Sequence, residues 1–198
     1  MIRTSRLLLR RLAPADASAV QRLAGERAIA ENTLHIPHPY PEGAAAAWIE
    51  RQAEQCDAGK ALILAMVADG ELVGAIGIHD WNDHDRAELG YWVGVPYWGR
   101  GYATEAGLAL LAHSFGVLRL NRVFAIHYSR NPASGRVLQK IGMRQEGVMP
   151  QHIKKWGVYV DAVCYGVLRD DWLREHELVW RSQTEPSASS PPAGGGRS

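Results

Sequence analysis

VGVPYWGRGYATEAG, residues 93–107, is the stretch of this 198-residue chain that decides its fold. An apolar run at residues 89–95 leads into it and predicts a strand, and a helical pattern opens at Thr104. Glycines in the turn between them let the backbone approach a ligand closely. The first N–H groups of a helix have no intrahelical partner and lie at the positive end of its dipole. With Arg100 beside them, they predict an anion-binding turn.

The turn fits neither of two common nucleotide-binding patterns. Nothing in the sequence has the phosphate-loop spacing G-x-x-x-x-G-K-[ST]. Gly99 and Gly101 supply the first two glycines of the dinucleotide pattern G-x-G-x-x-G, but Thr104 stands at the third position. That pattern also expects an acidic residue about twenty positions further on, and residues 118–122 contain none. A dinucleotide-dependent enzyme is therefore disfavoured.

Composition narrows the class of protein further. The net charge of +1 gives no bulk attraction to nucleic acid. No apolar run is long enough to span a bilayer, and no signal-peptide pattern opens the sequence, so we expect no membrane partner. Cys56 and Cys164 lie far apart outside any motif, and the eight histidines lack zinc-ligand spacing. These features predict no metal site and a reducing, cytoplasmic location.

Hydrophobic periodicity predicts an α+β fold with a mixed sheet of about seven strands flanked by helices. The strands are predicted at residues 2–12, 60–68, 71–79, 87–95, 121–127, 143–148 and 158–168. The helices are predicted at residues 15–30, 44–59, 104–116, 131–142 and 170–179. We expect a single domain over residues 1–180. The Ser-, Pro- and Gly-rich residues 181–198 bury too little apolar surface to order themselves, which predicts a disordered tail.

The fourth and fifth predicted strands suggest where a ligand enters. If residues 87–95 and 121–127 are parallel neighbours, the helix at residues 104–116 is a right-handed crossover between them. Two such strands can splay at their ends and leave a slot. A long, thin ligand arm with amide groups can pair with the open strand edges there, as an added strand would.

Several motifs together resemble the GCN5-related N-acetyltransferases (GNAT), and within them the RimJ/RimL ribosomal-protein acetyltransferase group. The resemblance covers about residues 3–173. The motifs are RLLLR at 6–10, IPHPYP at 36–41 with Trp48-Ile49, ELGYWV at 88–93, YWGRGYATEA at 97–106, NPAS at 131–134, LQKIGM at 138–143 and the closing strand at 161–172. It implies a single GNAT-like domain whose sheet is splayed between the fourth and fifth strands.

The resemblance implies acetyl-coenzyme A as the acetyl donor. The backbone of the turn would hold its pyrophosphate, and the residues concerned are Gly99, Arg100, Gly101, Tyr102, Ala103 and Thr104. Tyr91, Trp92 and Val93 would pair with the pantetheine arm through their main chain, and one N–H there would stabilise the oxyanion. The wider family has Gln or Arg where this chain has Trp98, a departure that is common in the RimJ/RimL group.

The resemblance also implies roles next to the acetyl group. Asn131 matches a position that contacts the pantetheine arm, and it also suits a helix cap. Ser134, one turn on, would donate to the departing thiolate. An amine must be neutral to attack, so a base is needed. Glu88 is our first choice for that base, with His79, Asp80 and His127, at strand ends, as alternatives.

The acceptor is predicted only by class. We expect transfer of acetyl from acetyl-CoA to a primary amine, either a protein N-terminal α-amine or a small-molecule amine, by direct attack. The loops at residues 32–43 and 151–157 would line the acceptor site. An alternative is a non-catalytic sensor or scaffold that binds CoA or acetyl-CoA with the same fold. The aromatic character near Trp156 permits a homodimer.

Overall fold

A computed structural model describes residues 1–82 and 84–176. Its centre is one eight-stranded mixed sheet in the order β1-β2-β3-β4-β5-β6-β8-β7. The strands are β1 Ile2–Arg3, β2 Leu8–Arg11, β3 Leu62–Ala68, β4 Glu71–Asn82, β5 Arg86–Val93, β6 Arg122–Tyr128, β7 Arg144–Lys155 and β8 Val158–Leu168. The sheet confirms the expected mixed α+β fold, with eight strands where about seven were predicted.

Six helices cover the two faces of the sheet. They are α1 Ala17–Ala24, α2 Arg27–Ala30, α3 Ala44–Asp57, α4 Tyr102–Gly116, α5 Pro132–Lys140 and α6 Arg169–Glu175. The larger core lies under α4, which is apolar nearly all round, and includes the fully buried Phe115 and Trp172. The smaller core lies under α1 and α3, where Leu23 and Ile49 pack on the opposite sheet face. None of the helices in the described ranges has the length and apolar character to cross a bilayer.

The sheet opens between β5 and β6, as expected. These parallel strands pair only at their starts, through Arg86 with Arg122, Ala87 with Val123, and Glu88 with Phe124. Beyond that point, β5 stays paired with β4 and β6 stays paired with β8. The crossover helix α4 fills the face beside the opening. A gap between two strand ends therefore lies at the centre of the sheet.

The N-terminal region differs from the prediction in two places. The strand predicted at residues 2–12 is a hairpin, because a turn closed by the Thr4 N–H and the Leu7 carbonyl (2.9 Å) folds β1 back on β2. The helix predicted at residues 15–30 is broken near Gly25. The next residue, Glu26, has an extended ψ of 133°, so α2 starts afresh after it.

The C-terminal region also differs. The strand predicted at residues 143–148 continues to Lys155, because register shifts between Gln145 and Gly147 and between Met149 and Ile153 absorb the polar stretch that was expected to be a loop. The last helix ends at Glu175, and the predicted end of that helix and the predicted tail lie outside the described residues.

Candidate active site

Main-chain groups of β5 point into the gap at alternate residues. The Gly94 N–H donates to the Val73 carbonyl at 2.9 Å, which makes these two a hydrogen-bonded pair. Hydrogen-bonded and non-hydrogen-bonded pairs alternate along antiparallel strands. The N–H and C=O of Trp92 therefore face β4, whereas those of Tyr91 and Val93 face the gap.

The facing edge of β6 has the same alternation. The Ser129 N–H donates to the Asp161 carbonyl at 2.9 Å, so the odd-numbered residues of β6 face β8. The main chain of Ile126 faces the gap, as does the Tyr128 N–H, whereas the Tyr128 carbonyl already accepts the Asn131 N–H at 2.8 Å. Both edges therefore offer what an amide-bearing arm needs for strand-like pairing. Of the three β5 residues predicted to pair with the pantetheine arm through their main chain, Tyr91 and Val93 face the gap and Trp92 does not.

Trp98 ties the turn to the end of β5. Its indole Nε1 donates to the Val93 carbonyl at 2.6 Å. Val93 therefore keeps only its N–H for a ligand. The tryptophan that replaces the family's Gln or Arg thus has a structural partner in this chain, and it fixes the distance between the gap and the turn.

The turn itself has the geometry of an anion site. Gly99 and Gly101 have φ of +75° and +80°, a left-handed conformation that glycine adopts without strain. Gly101 is the residue before α4, and no described side chain caps that helix. The first-turn N–H groups of Tyr102, Ala103 and Thr104 are therefore without an intrahelical partner. They lie at the positive end of the α4 dipole.

Arg6 braces this turn from the N-terminal hairpin, a role that the sequence did not reveal. Its Nη1 donates to the Arg100 carbonyl at 2.8 Å, and its Cζ lies 5.1 Å from the centre of the Tyr102 ring. The side chain of Arg100 lies back on the turn, with Nη2 donating to the Pro96 carbonyl at 3.1 Å. The turn is thus held in shape by side chains that leave its N–H groups open.

Glu105, in the first turn of α4, accepts several hydrogen bonds from the N-terminal hairpin. Its carboxylate accepts from Thr4 Oγ1 (2.6 Å), Ser5 Oγ (3.1 Å), the Arg6 N–H (2.8 Å) and Arg6 Nε (2.7 Å). Burial alone would raise the pKa of Glu105, but hydrogen bonds from Thr4, Arg6 and Ser5 outweigh it and lower the pKa below its ordinary value of 4.5. The ionised form therefore stabilises the hairpin against α4.

Glu105→Gln should reduce stability at neutral pH by about 1–2 kcal/mol. Because the folded pKa is depressed, this contribution is present above the unfolded value of 4.5 and is lost as the pH falls through the folded pKa. The difference between variant and parent should therefore shrink in acid, measured by urea unfolding. Glu175→Gln, which removes an exposed ion pair with Arg144, is the control and should change little. An undiminished difference in acid would contradict the assignment.

Tyr91, Ser134 and Asn131 meet beside the gap. The Tyr91 hydroxyl lies 2.8 Å from Ser134 Oγ, and the Ser134 N–H donates to Asn131 Oδ1 at 3.3 Å. Asn131 thus caps α5, as predicted. Burial, opposed by the Ser134 hydrogen bond, raises the pKa of Tyr91 to about 12. The Tyr91 phenol therefore stays protonated at neutral pH, and the Tyr91 and Ser134 hydroxyls are hydrogen-bonded to each other beside the gap.

If Ser134 donates to the leaving sulfur, as the resemblance implies, Ser134→Ala should lower kcat about tenfold to 100-fold with little change in the Kd for acetyl-CoA. Tyr91→Phe should lower kcat by a smaller factor. The double variant should lower kcat by less than the product of the two single factors, because the hydroxyls act together. Steady-state kinetics and calorimetry measure both quantities. Ser18→Ala, on an exposed serine of α1, is the matched control for Ser134→Ala. Equal losses of kcat and donor affinity would contradict the role.

Glu88 lies on the opposite face of the sheet from Ser134. It pairs across the strands with His79, whose ring lies over Gly90 so closely that an added Cβ would be 3.2 Å from Nε2. Burial raises the pKa of Glu88 above its ordinary value; His79 and His35 lower it, and Asp80 raises it further. Glu88 is thus a half-buried carboxylate with a histidine beside it, and it takes up a proton more readily than an exposed glutamate.

The alternative bases have different positions. His79 and Asp80 lie at the end of the same strand pairing as Glu88. His127 is 8% exposed and lies on the other face under α5, where its Nε2 would be 2.8 Å from a Cβ on Gly135. His127 therefore does not share a face with Glu88. No group of His, Cys, Asp or Glu within the described ranges has metal-binding geometry.

The structure brings together the predicted turn, the β5 edge and the start of α5 at one opening. The sequence predicted a main-chain role for Tyr91 and did not predict the contact of its hydroxyl. Leu89 and Val93 are both buried against the α4 face, so strict alternation already places Tyr91 on the same face. The Arg6 and Trp98 contacts had no local signal.

Comparisons with known proteins agree with this geometry. A family model described as acetyltransferase (GNAT) domain matches residues 6–144. The SPbeta prophage-derived uncharacterized N-acetyltransferase YokL of Bacillus subtilis (strain 168) is 30% identical over 172 residues, which cover 86% of this chain and 94% of YokL. The uncharacterized N-acetyltransferase YoaA of the same organism is 35% identical over 100 residues, 50% of this chain and 56% of YoaA. The chain thus spans little more than half of YoaA.

A solved structure shares the fold. It is that of RimL, the ribosomal L7/L12 alpha-N-protein acetyltransferase in complex with coenzyme A, with a TM-score of 0.79 over 85% of this chain and 97% of RimL. At 19% identity this likeness shows the fold alone. The family match and the similarity to YokL go further. The chain belongs to the acetyltransferase (GNAT) domain family and is an N-acetyltransferase.

Proposed function

We propose that this protein transfers acetyl from acetyl-CoA to a primary amine by direct attack, without an acetylated enzyme intermediate. The observation that carries the proposal is the arrangement around β5. Open main-chain groups line the gap, an uncapped helix N-terminus lies at one end of it, and the Tyr91–Ser134 pair and Glu88 lie on opposite faces. The base and the hydrogen-bond donor to the leaving sulfur are thereby separated by the strand that would hold the thioester.

The mechanism follows from these positions. The N–H groups at the start of α4 hold the pyrophosphate, and the pantetheine arm pairs with Tyr91 and Val93 on β5 and with β6. Glu88 accepts the proton of the attacking amine, directly or through His79. A main-chain N–H on β5 stabilises the oxyanion. The Ser134 hydroxyl, held by Tyr91, donates a hydrogen bond to the sulfur, which leaves as the thiolate when the carbon–sulfur bond breaks.

The acceptor proposal is a protein N-terminal α-amine, as in the RimJ/RimL group. An α-amine has a pKa near 8 and is easier to neutralise than an alkyl amine near 10. The loop at residues 31–43 lies on the Glu88 face and would form one wall, with the hairpin between β7 and β8 as the other. We also propose a cytoplasmic location, which the unpaired Cys56 and Cys164 support.

A homodimer is proposed through the β7–β8 hairpin. Val148, Trp156, Val158 and Tyr159 of this hairpin are large apolar side chains with about half or more of their surface exposed. Large apolar side chains exposed this far suit burial against a second copy. Sedimentation at micromolar concentration tests it, and a monomer would contradict it.

Two measurements test the function. Calorimetry should show saturable acetyl-CoA binding, and a panel of peptides and small amines with labelled acetyl-CoA should show transfer. Absence of binding at high micromolar donor would contradict the donor site. Binding with no transfer to any amine would favour the alternative of a CoA-binding sensor.

A further inference from the structure

Two cations hold the loop that covers the acceptor face. Nζ of Lys155 donates to the carbonyl oxygens of Leu34 and Ile36 at 3.2 and 3.0 Å. Nη2 of Arg130 donates to the Glu31 carbonyl at 2.6 Å. Lys155 is only 6% exposed. The loop at residues 31–36 is thus fastened to the end of β7 and to the segment after β6 by positive charges.

These charges have no carboxylate partner among the described residues. The acidic residue of this loop, Glu31, is paired with Arg27 Nε at 2.7 Å. Burial, and then the charge of Arg130, lower the pKa of Lys155. The Lys155 ammonium has three hydrogens, and two of them are donated to loop carbonyls. Arg130 has five N–H donors, and one of them is donated to the loop. Donors therefore remain for an anion, which would relieve the repulsion between the two cations.

Tyr128 lies beside Arg130, and its buried hydroxyl is a second feature that points to a ligand there. Its ring centre lies 5.4 Å from Cζ of Arg130, and the residue is 4% exposed. Its hydroxyl is buried and has no hydrogen-bond partner among the described residues. Leaving a buried hydroxyl unpaired costs free energy. An acceptor oxygen bound at Arg130 would supply the missing partner.

The cluster and Glu88 lie at opposite ends of one covered surface. Glu88 pairs with Phe124, and Tyr128 is four residues further along β6 on the same face, about 13 Å away at the usual rise of a strand. His35, in the same loop, is near enough for its charge to act on Glu88 and lower its pKa. The loop therefore extends from the cations to the predicted base.

We propose that the acceptor is a peptide whose N-terminal α-amine lies at Glu88 and whose Asp or Glu side chain, about four residues on, binds Arg130 and Lys155. An extended peptide covers about 13 Å in four residues, and a carboxylate matches the planar fork of an arginine. The inference rests on the proposed function. It disfavours polyamines, which carry positive charge throughout.

The test uses the full chain, acetyl-CoA and three peptides that differ only in Glu, Gln or Lys at the fifth residue, which is four residues on from the N-terminal one. kcat/KM should be about tenfold higher for the Glu peptide than for the Gln peptide, and lowest for the Lys peptide. Arg130→Glu should invert the order of the Glu and Lys peptides. Arg144→Glu, which changes an exposed arginine at the start of β7, is the matched control and should keep the parent's order.

The outcomes separate this inference from the proposed function. Equal kcat/KM for the three peptides, or transfer only to a polyamine, would overturn the anion site and leave the acetyltransferase activity standing. If no amine is acetylated, calorimetry with the CoA-loaded protein still decides the matter. Equal affinity for the Glu and Gln peptides would then overturn the site, and an affinity preference removed by Arg130→Glu would support it.

Discussion

Glu88→Gln is expected to lower kcat at least about 100-fold, which is the usual contribution of a positioned base. The amide keeps the shape of the side chain but cannot accept the proton of the attacking amine. Because burial raises the pKa of Glu88 above 4.5, the parent's rate should rise with pH through that raised value. The variant should lose this limb and keep only the titration of the acceptor amine. A pH–rate profile with a peptide acceptor measures both.

Stability separates this effect from damage to the fold. A carboxyl whose folded pKa is raised binds its proton more tightly in the folded state, so its ionisation costs stability as the pH rises above 4.5. Glu88→Gln removes that cost and should be at least as stable as the parent at neutral pH. Glu50→Gln, on the exposed face of α3, is the control for both measurements. A variant rate within about threefold of the parent's would be far too small a loss for a positioned base, and would move that role to His79.

Gly101→Glu is expected to weaken acetyl-CoA binding at least about 100-fold. The residue precedes α4 at φ +80°, where any side chain is strained, and a Cβ there would lie 3.4 Å from Nη2 of Arg6. A carboxylate at this point would also repel the pyrophosphate from the N–H groups of the turn. Like charges brought together in a binding site cost several kcal/mol. Calorimetric titration with acetyl-CoA gives the loss directly.

Strain alone needs its own control. Gly59, after α3, has φ +68° and nothing within 4 Å of an added Cβ. Gly59→Glu therefore introduces the same residue in the same backbone region, far from the turn, and should cost only strain of about 1–3 kcal/mol in stability. It should bind acetyl-CoA like the parent. Retained donor affinity in Gly101→Glu would show that the pyrophosphate lies elsewhere.

Local patterns predicted the part of the fold that local residues determine. The Asp69-Gly70 pair sets the hairpin of β3 and β4, with Gly70 at φ +83°, and the Asn131-Pro132 start sets α5. The splay of β5 from β6 followed from one parallel crossover. By contrast, the N-terminal hairpin depends on Glu105, 99 residues from Arg6. No periodicity within residues 2–12 carries a contact over such a separation.

The candidate site divides in the same way. The turn and the α5 cap were predicted because glycine, proline and asparagine have strong conformational preferences of their own. The Tyr91–Ser134 contact joins residues 43 positions apart, and it exists only because α5 packs beside the open end of β5. The charged cluster of Arg130 and Lys155 was not predicted either, since Lys155 joins β7 to a loop 121 residues earlier.

The side chains of β5 alternate between the two faces of the sheet, and this affects which substitutions the protein can accept during evolution. Glu88 and Tyr91 are an odd number of residues apart, so the donor chemistry and the acceptor chemistry belong to separate sides of one strand. Substitutions on the acceptor side can alter the range of amines while the thioester machinery stays untouched. Deletion of one residue between Glu88 and Tyr91 would instead put both side chains on the same face of β5, and activity should be lost. The strand tolerates new side chains but not a new length.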